Sequence, residues 1–376
     1  MPRSKASEAD EQLIAAAGRH GAVVTARQLE RWRARGLLAP NVRRALGRGR
    51  GSGSEPPPGA AELVVWLARN AGTGRRPANL ALLAFAAELA VPEKTVRAAF
   101  ADAVSRVKLP GEASMPAGAT PEDVADAAVA AGLRFTMVPA RMRRIDRDLA
   151  RMEVNWSVPE IAALDPGRSD SRATDSDWVY NAVQLVLSGG EGIDMGTVGA
   201  LTRTMAPIGG VAPLAGQIEY RWPISREDEP SGLPDDEELL HSLLNGGDLR
   251  DQARDLAMTT PAAEMLDAFN LAAGLPGWAD STCAAVEREI AAGKLDAAAK
   301  EWAVTSALGG GLTRLLLTMT LRDKNAGPAS TAITALVLIF VRNMIRDLRQ
   351  LVPAGNFEVL NNPLIAPSFL LDFLTR

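Results

Sequence analysis

Along most of this 376-residue chain, apolar residues recur three and four positions apart between Gly and Pro stops. That is the spacing of one face of an α-helix, whereas only residues 218–224 alternate in the manner of a strand. Hydrophobic residues make up 47% of the chain but aromatics only 5%, so Ala and Leu carry most apolar positions. Both lose little side-chain entropy in a helix, and the β-branched and aromatic runs that favour strands are scarce. The expected fold is all-α. A chain this long exceeds what one core organises, which predicts two or three domains. No period of about 20–50 residues repeats, so stacked repeat units are not expected.

The formal net charge of −4 conceals two halves of opposite sign. Up to Pro110 there are 18 Lys and Arg against 9 Asp and Glu; beyond it there are 23 against 36. The asymmetry implies a basic module that meets a polyanion, joined to an acidic one that does not. A Pro/Gly/Ala/Ser-rich stretch at 109–120 reads as the linker. The expected domains are a DNA-binding unit at 1–70, a helical hairpin scaffold at 71–110 and an acidic helical domain of undefined role at 111–376.

Within the basic half, residues 7–18 read as a helix that buries Leu13, Ile14 and Ala17 and stops at Gly18 or Gly21. After a turn at 20–24, the Thr25 hydroxyl is placed to cap a helix over 25–35, which Gly36 ends in a left-handed conformation. A Gly/Arg/Ser loop at 41–58 leads to a third helix at 59–69. Helices at 79–90 and 94–107 flank a turn at Val91 and Pro92; their outline resembles a second helix-turn-helix, but the scarcity of basic residues assigns them to scaffold. In the acidic half the spacing predicts helices over 121–152, 175–187, 196–205, 235–244, 249–257, 261–273, 278–292, 295–321 and 330–351. The acidic stretches 165–177 and 227–238 lack the ligand spacing of a calcium loop and read as solvated loops, so no metal is assigned.

The informative segment runs from Thr25 to Pro40. Leu29 and Trp32 lie three apart and share one helix face, able to seal with Leu37 and Leu38. Arg27, Arg31 and Arg35, spaced by four, line another face beside Gln28. Such a helix is held by one stripe and presents the other to the DNA major groove. The planar guanidinium matches guanine O6 and N7 or phosphate oxygens, and Gln is suited to adenine. Between Arg27 and Arg50 there are eight arginines and one acid, Glu30. The following loop, with Arg43, Arg44, Arg48, Arg50 and Ser52 among glycines, fits a wing whose backbone approaches phosphates closely. It has no Gly-Lys-Ser/Thr and no preceding apolar strand, so it is not a nucleotide-binding loop.

The run from Leu29 to Pro40, the Gly-Arg loop and the segment 57–67 together resemble the DNA-binding domain of MerR-type regulators and related excisionase-like winged helix-turn-helix proteins. The resemblance covers about 60 residues. It implies core roles for Leu29, Trp32, Gly36, Leu37 and Leu38, and DNA-facing roles for Arg27, Gln28 and Arg31. Glu30 stands where that family often carries Arg, and the long heptad helix that joins its subunits is not evident here.

The alternative is a helical protein-interaction scaffold with a solvated basic face. An enzyme is not expected: the two histidines, His20 and His241, fall in different expected domains, and no nucleophile motif or phosphate loop is present. Nor is any cofactor expected. The lone Cys283 excludes an internal disulfide framework and reads as a small core residue. Residues 1–10 lack a signal-like apolar core, and the most apolar stretch, 332–341, is shorter than a bilayer span of about 20 residues. The expectations are therefore a cytoplasmic location and no membrane partner. The arginines of 141–151 are expected to pair with Asp146 and Asp148. Trp156, Trp178, Trp222, Trp278 and Trp302 read as core that leaves room for a small-molecule effector between helices, and the chain is expected to form a homo-oligomer.

Overall fold

Ser7 opens the first helix, α1 (Glu8–Arg19), by accepting a 3.2 Å hydrogen bond from the Asp10 amide, and three acids in the first turn complement the helix dipole. The computed structural model describes residues 6–45, 52–72, 74–109, 112, 115–116, 118–131, 138–152, 173–191, 193–205, 246–307, 312–322, 327–351 and 367–376. Among these, helices dominate and a single two-stranded sheet occurs.

The chain divides into two compact units. The first comprises Met1–Arg106, Arg254–Ala272 and Gly327–Leu336; the second comprises Val107–Ala253, Ala273–Ala326 and Val337–Arg376. The expected separation at residue 70 is not observed, since the hairpin scaffold belongs to the same unit as the first 70 residues, and two segments from the acidic half join them.

In the first unit, α1 is followed by α2 (Ala26–Ala34), a hairpin of β1 (Val42–Ala45) and β2 (Ser52–Glu55), then α3 (Ala60–Asn70), α4 (Pro77–Ala86) and α5 (Glu93–Ser105). The strands pair antiparallel, with Val42 opposite Glu55 and Ala45 opposite Ser52. They lie within the Gly/Arg/Ser loop expected at 41–58. Val42, Arg43 and Arg44 are all exposed, so no buried alternation announces β1, and cross-strand backbone bonds define it instead. Leu13, Ala17, Leu29, Trp32, Leu37, Leu38, Leu63, Val64 and Leu67 form the interior, while Ile14 is only half-buried.

α5 ties this unit together. Thr95 Oγ1 donates to the Gly36 carbonyl at 2.7 Å, just beyond the end of α2. Arg97 Nη1 donates to the carbonyls of Ala257 and Met258 at 3.0 and 2.7 Å, in the last turn of the 249–259 helix. Phe100 packs edge-on against Phe85 and against Phe269, with centroids 6.2 and 5.9 Å apart. α5 thus makes specific hydrogen bonds to the end of α2 and to the end of the 249–259 helix.

The remaining helices are α6 (Pro121–Ala130), α7 (Ala140–Arg151), α8 (Asp175–Ser188), α9 (Met195–Thr204), α10 (Leu249–Thr259), α11 (Ala262–Ala291), α12 (Ala297–Ala307), α13 (Leu312–Arg322), α14 (Pro328–Leu351) and α15 (Ser368–Thr375). Within the second unit, Val124, Ala125 and Ala128 of α6 pack on Val179 and Val183 of α8. A second cluster joins Met142, Ile145 and Leu149 of α7 to Ala279, Cys283 and Val286 of α11, Trp302 of α12 and Leu317 of α13. Cys283 is fully buried there, and that burial pushes its thiol up to about 11.

Three helix boundaries differ from the expected ones. The pattern at 121–152 is two helices, α6 and α7, and that at 295–321 is likewise two, α12 and α13. Conversely, α11 runs through Pro276, where the sequence suggests a break. Proline removes one backbone bond and crowds the preceding turn. Burial of Ala272, Leu275 and Ala279 around the proline favours the continuous helix. The expected strand at 218–224, the helix at 235–244 and the acidic loop at 227–238 lie outside the described residues. Within α14, Pro328–Asp347 is 20 residues long with mean hydropathy 1.5, long and apolar enough by length and composition to cross a membrane.

Candidate nucleic-acid interface

α2 begins with a reciprocal capping box. The Gln28 amide donates to Thr25 Oγ1 at 3.3 Å, and the Thr25 amide donates to Gln28 Oε1 at 2.9 Å. Thr25 therefore caps as its sequence position suggests. Gln28 departs from its expected part as an adenine reader: its carbonyl oxygen is engaged by Thr25, and a bidentate contact with adenine needs that oxygen free. The signal was present in the sequence, because Thr followed three residues later by Gln is the capping-box pattern.

From this start, the two faces of α2 separate. Leu29 and Trp32 are 0% and 2% exposed, whereas Arg27 and Arg31 are exposed, and so is Arg35 at the C-cap. Gly36 follows at φ +72°, and a Cβ there would meet Thr95 Oγ1 at 2.7 Å. Glycine alone both adopts that backbone and admits α5 so close. Leu37 and Leu38, at 1% and 2% exposure, then seal the helix end.

Arg33, which the helical row leaves out, has a different task. Its Nη2 donates to Asp10 Oδ1 at 2.5 Å and to Asn41 Oδ1 at 2.8 Å, and Asn41 Nδ2 in turn donates to Ser7 Oγ at 3.2 Å. This cluster fixes α1, α2 and the entry to β1 against one another. Burial acts to raise the Asp10 carboxyl, but hydrogen bonds from Arg33, Ser7 and Asn41 and the charge of Arg33 outweigh it and hold the group below its ordinary value. No short-range spacing announces the cluster, since Asp10 and Arg33 lie 23 residues apart.

In the hairpin, Arg43 lies opposite Ser54 and is exposed. Arg44, expected to donate to phosphate, is instead paired across the strands with Glu55 at 2.6 Å; both side chains are more than half exposed, so solvent and salt compete freely for this pair. Ser52 is the first residue of β2. Arg48 and Arg50 lie outside the described residues. Arg27, Arg31, Arg35 and Arg43 have no ion-pair partner among the described residues.

Elsewhere the basic stretch at 141–151 is largely consumed internally. Arg141 and Arg144 both bond Glu287, at 2.9 and 2.5 Å, and those bonds hold the Glu287 carboxyl below its ordinary value. Arg147 and Arg151 flank Asp148 at 3.8 and 3.6 Å. Asp146 does not pair with them as expected. It is buried, accepts from Trp302 Nε1 at 2.8 Å and holds the buried Arg314. Arg314 also donates from Nε to the Met205 carbonyl at 2.5 Å, so the buried pair is hydrogen-bonded on several sides.

What this first unit displays, then, is a capped helix with cationic side chains outward and a basic two-stranded hairpin after it. No family model, curated protein or solved structure matches the chain.

Proposed function

We propose that this protein binds double-stranded DNA, with α2 entering the major groove and the β1–β2 hairpin lying as a wing on the flanking backbone, in the manner of a winged helix-turn-helix transcription regulator. The observation that carries the reading is the division of labour on α2. One face is buried through Leu29 and Trp32, while Arg27, Arg31 and Arg35 stand exposed and unpaired among the described residues. Unpaired guanidiniums on a rigid, capped helix retain their full capacity for phosphate oxygens and guanine edges. The resemblance of 29–67 to the MerR-type domain supports the same reading. In this assignment Arg31 is the base-reading candidate, and Arg27, Arg35, Arg43, Arg48 and Arg50 are the phosphate contacts. Gln28 keeps its capping role.

The test is the anisotropy of a fluorescent random-sequence duplex, titrated with the full chain at 50 and 200 mM salt. With those five arginines on phosphates, the log–log slope of affinity against salt is about −4.5. Binding that is absent, insensitive to salt, or unchanged when Arg27, Arg31 and Arg35 are all replaced by Ala refutes the proposal.

A further inference from the structure

The turn between α4 and α5 faces the start of α11 across a cavity of about 260 Å³. Its apolar lining includes Phe85, Leu89 and Val96 together with Leu266 of α11, and its polar lining is two carboxylates, Glu88 and Glu93. These are not equivalent. Glu93 is engaged by Arg97, with bonds of 2.9 and 2.6 Å from Nε and Nη2, whereas the Glu88 carboxylate is exposed and has no partner among the described residues. Glu88 is also the one non-glycine residue with positive φ, +55°, among the described residues. A side chain in that backbone region carries a conformational cost that glycine would not.

We propose that this cavity binds a small organic cation, an ammonium group on a short apolar body, with Glu88 as its counter-charge. The chemistry follows from the lining. An apolar cavity of roughly 150 Å³ accommodates benzene, so the larger volume here takes an aromatic ring with a short aminoalkyl arm. An anionic ligand meets the like charge of Glu88, whereas an ammonium group gains an ion pair with it that a neutral ligand of the same shape does not.

Occupancy of the cavity also bears on α2. Val96 lines it, and its neighbour Thr95 donates to the Gly36 carbonyl at the end of α2. One rigid helix therefore carries both contacts, and a cation that shifts α5 alters the seat of α2. This consequence, unlike the site itself, rests on the DNA-binding reading.

The site is tested on the full chain without DNA, by calorimetric titration with 2-phenylethylammonium, the neutral 2-phenylethanol and the anionic 3-phenylpropionate. The expected order is the cation tighter than the alcohol by about threefold, with no measurable binding of the acid. Glu88→Gln, an exposed substitution that leaves the thermal transition in place, brings the cation to the level of the alcohol, and Ala262→Phe, which fills the cavity, removes both. A cation bound no tighter than the alcohol, or unaffected by Glu88→Gln, overturns the site. The coupling is read separately: saturating 2-phenylethylammonium changes duplex affinity by about fivefold or more in the parent and not in Thr95→Val. Persistent cation binding with unchanged duplex affinity overturns the coupling alone.

Discussion

α2 and α7 are both short, arginine-rich amphipathic helices, and they use their arginines in opposite ways. On α7, Arg141 and Arg144 converge on Glu287, and Arg147 and Arg151 flank Asp148; only Arg143 lacks an acidic partner among the described residues. On α2, one arginine, Arg33, is taken by Asp10, and Arg27, Arg31 and Arg35 are left to solvent. Both helices turn leucine and a bulky apolar side chain inward. A basic, amphipathic pattern is therefore compatible with a helix that stitches the protein together and with one that faces outward. What distinguishes them is whether acids from other elements reach the basic face.

Five substitutions sharpen or break that contrast. The largest effect is expected at Asp146→Ala, which removes the carboxylate that faces the buried Arg314 guanidinium; removing one partner of a buried pair costs about 3–5 kcal/mol, and urea unfolding should show it without loss of duplex binding beyond that due to unfolding. Gly36→Ala forces a Cβ against Thr95 Oγ1 in left-handed backbone, and a destabilisation of about 2 kcal/mol is expected by thermal denaturation. An unchanged melting temperature would show that the close approach of α5 to the end of α2 is not rigid.

The direct comparison is Arg31→Ala against Arg144→Ala. Duplex affinity should drop by about tenfold for the first, roughly 1.4 kcal/mol, and by less than twofold for the second, whose guanidinium is bound to Glu287. Equal losses would mean that freedom from internal pairing does not mark the DNA-facing arginines. The smallest effect concerns Asp10, whose carboxyl is depressed in the folded state. Its contribution is fully present above the ordinary carboxylate value of about 4 and is lost as pH falls through the lower folded value. Asp10→Asn should therefore cost about 1 kcal/mol at pH 7 and melt with a shallower dependence on pH below about 4 than the parent, measured by circular dichroism from pH 7 to 2.5.

Much of the first unit was legible in local spacing. The span 25–35 expected between the Thr25 cap and Gly36 matches α2 within a residue at each end, and Leu29 and Trp32 are buried as their spacing implies, because a helix face follows from residues three and four apart. The hairpin strands were not legible, since both faces of β1 are exposed and its register depends on a partner strand, with Ala45 opposite Ser52 and Val42 opposite Glu55. Nor was the role of Gln28, where the capping pattern competes with the base-reading chemistry of the same side chain. The continuity of α11 through Pro276 went against local propensity, and burial on both sides of the proline prevailed.

The amino-acid sequence alone determined where most helices of the described residues lie, which side of α2 turns inward and that the basic charge gathers before Pro110. Those properties arise from neighbours a turn or two apart. Only the tertiary structure decided which charges remain available. Asp10 meets Arg33 across 23 positions and Asp146 meets Arg314 across 168, and an ion pair is set by distance in space, which no local pattern encodes.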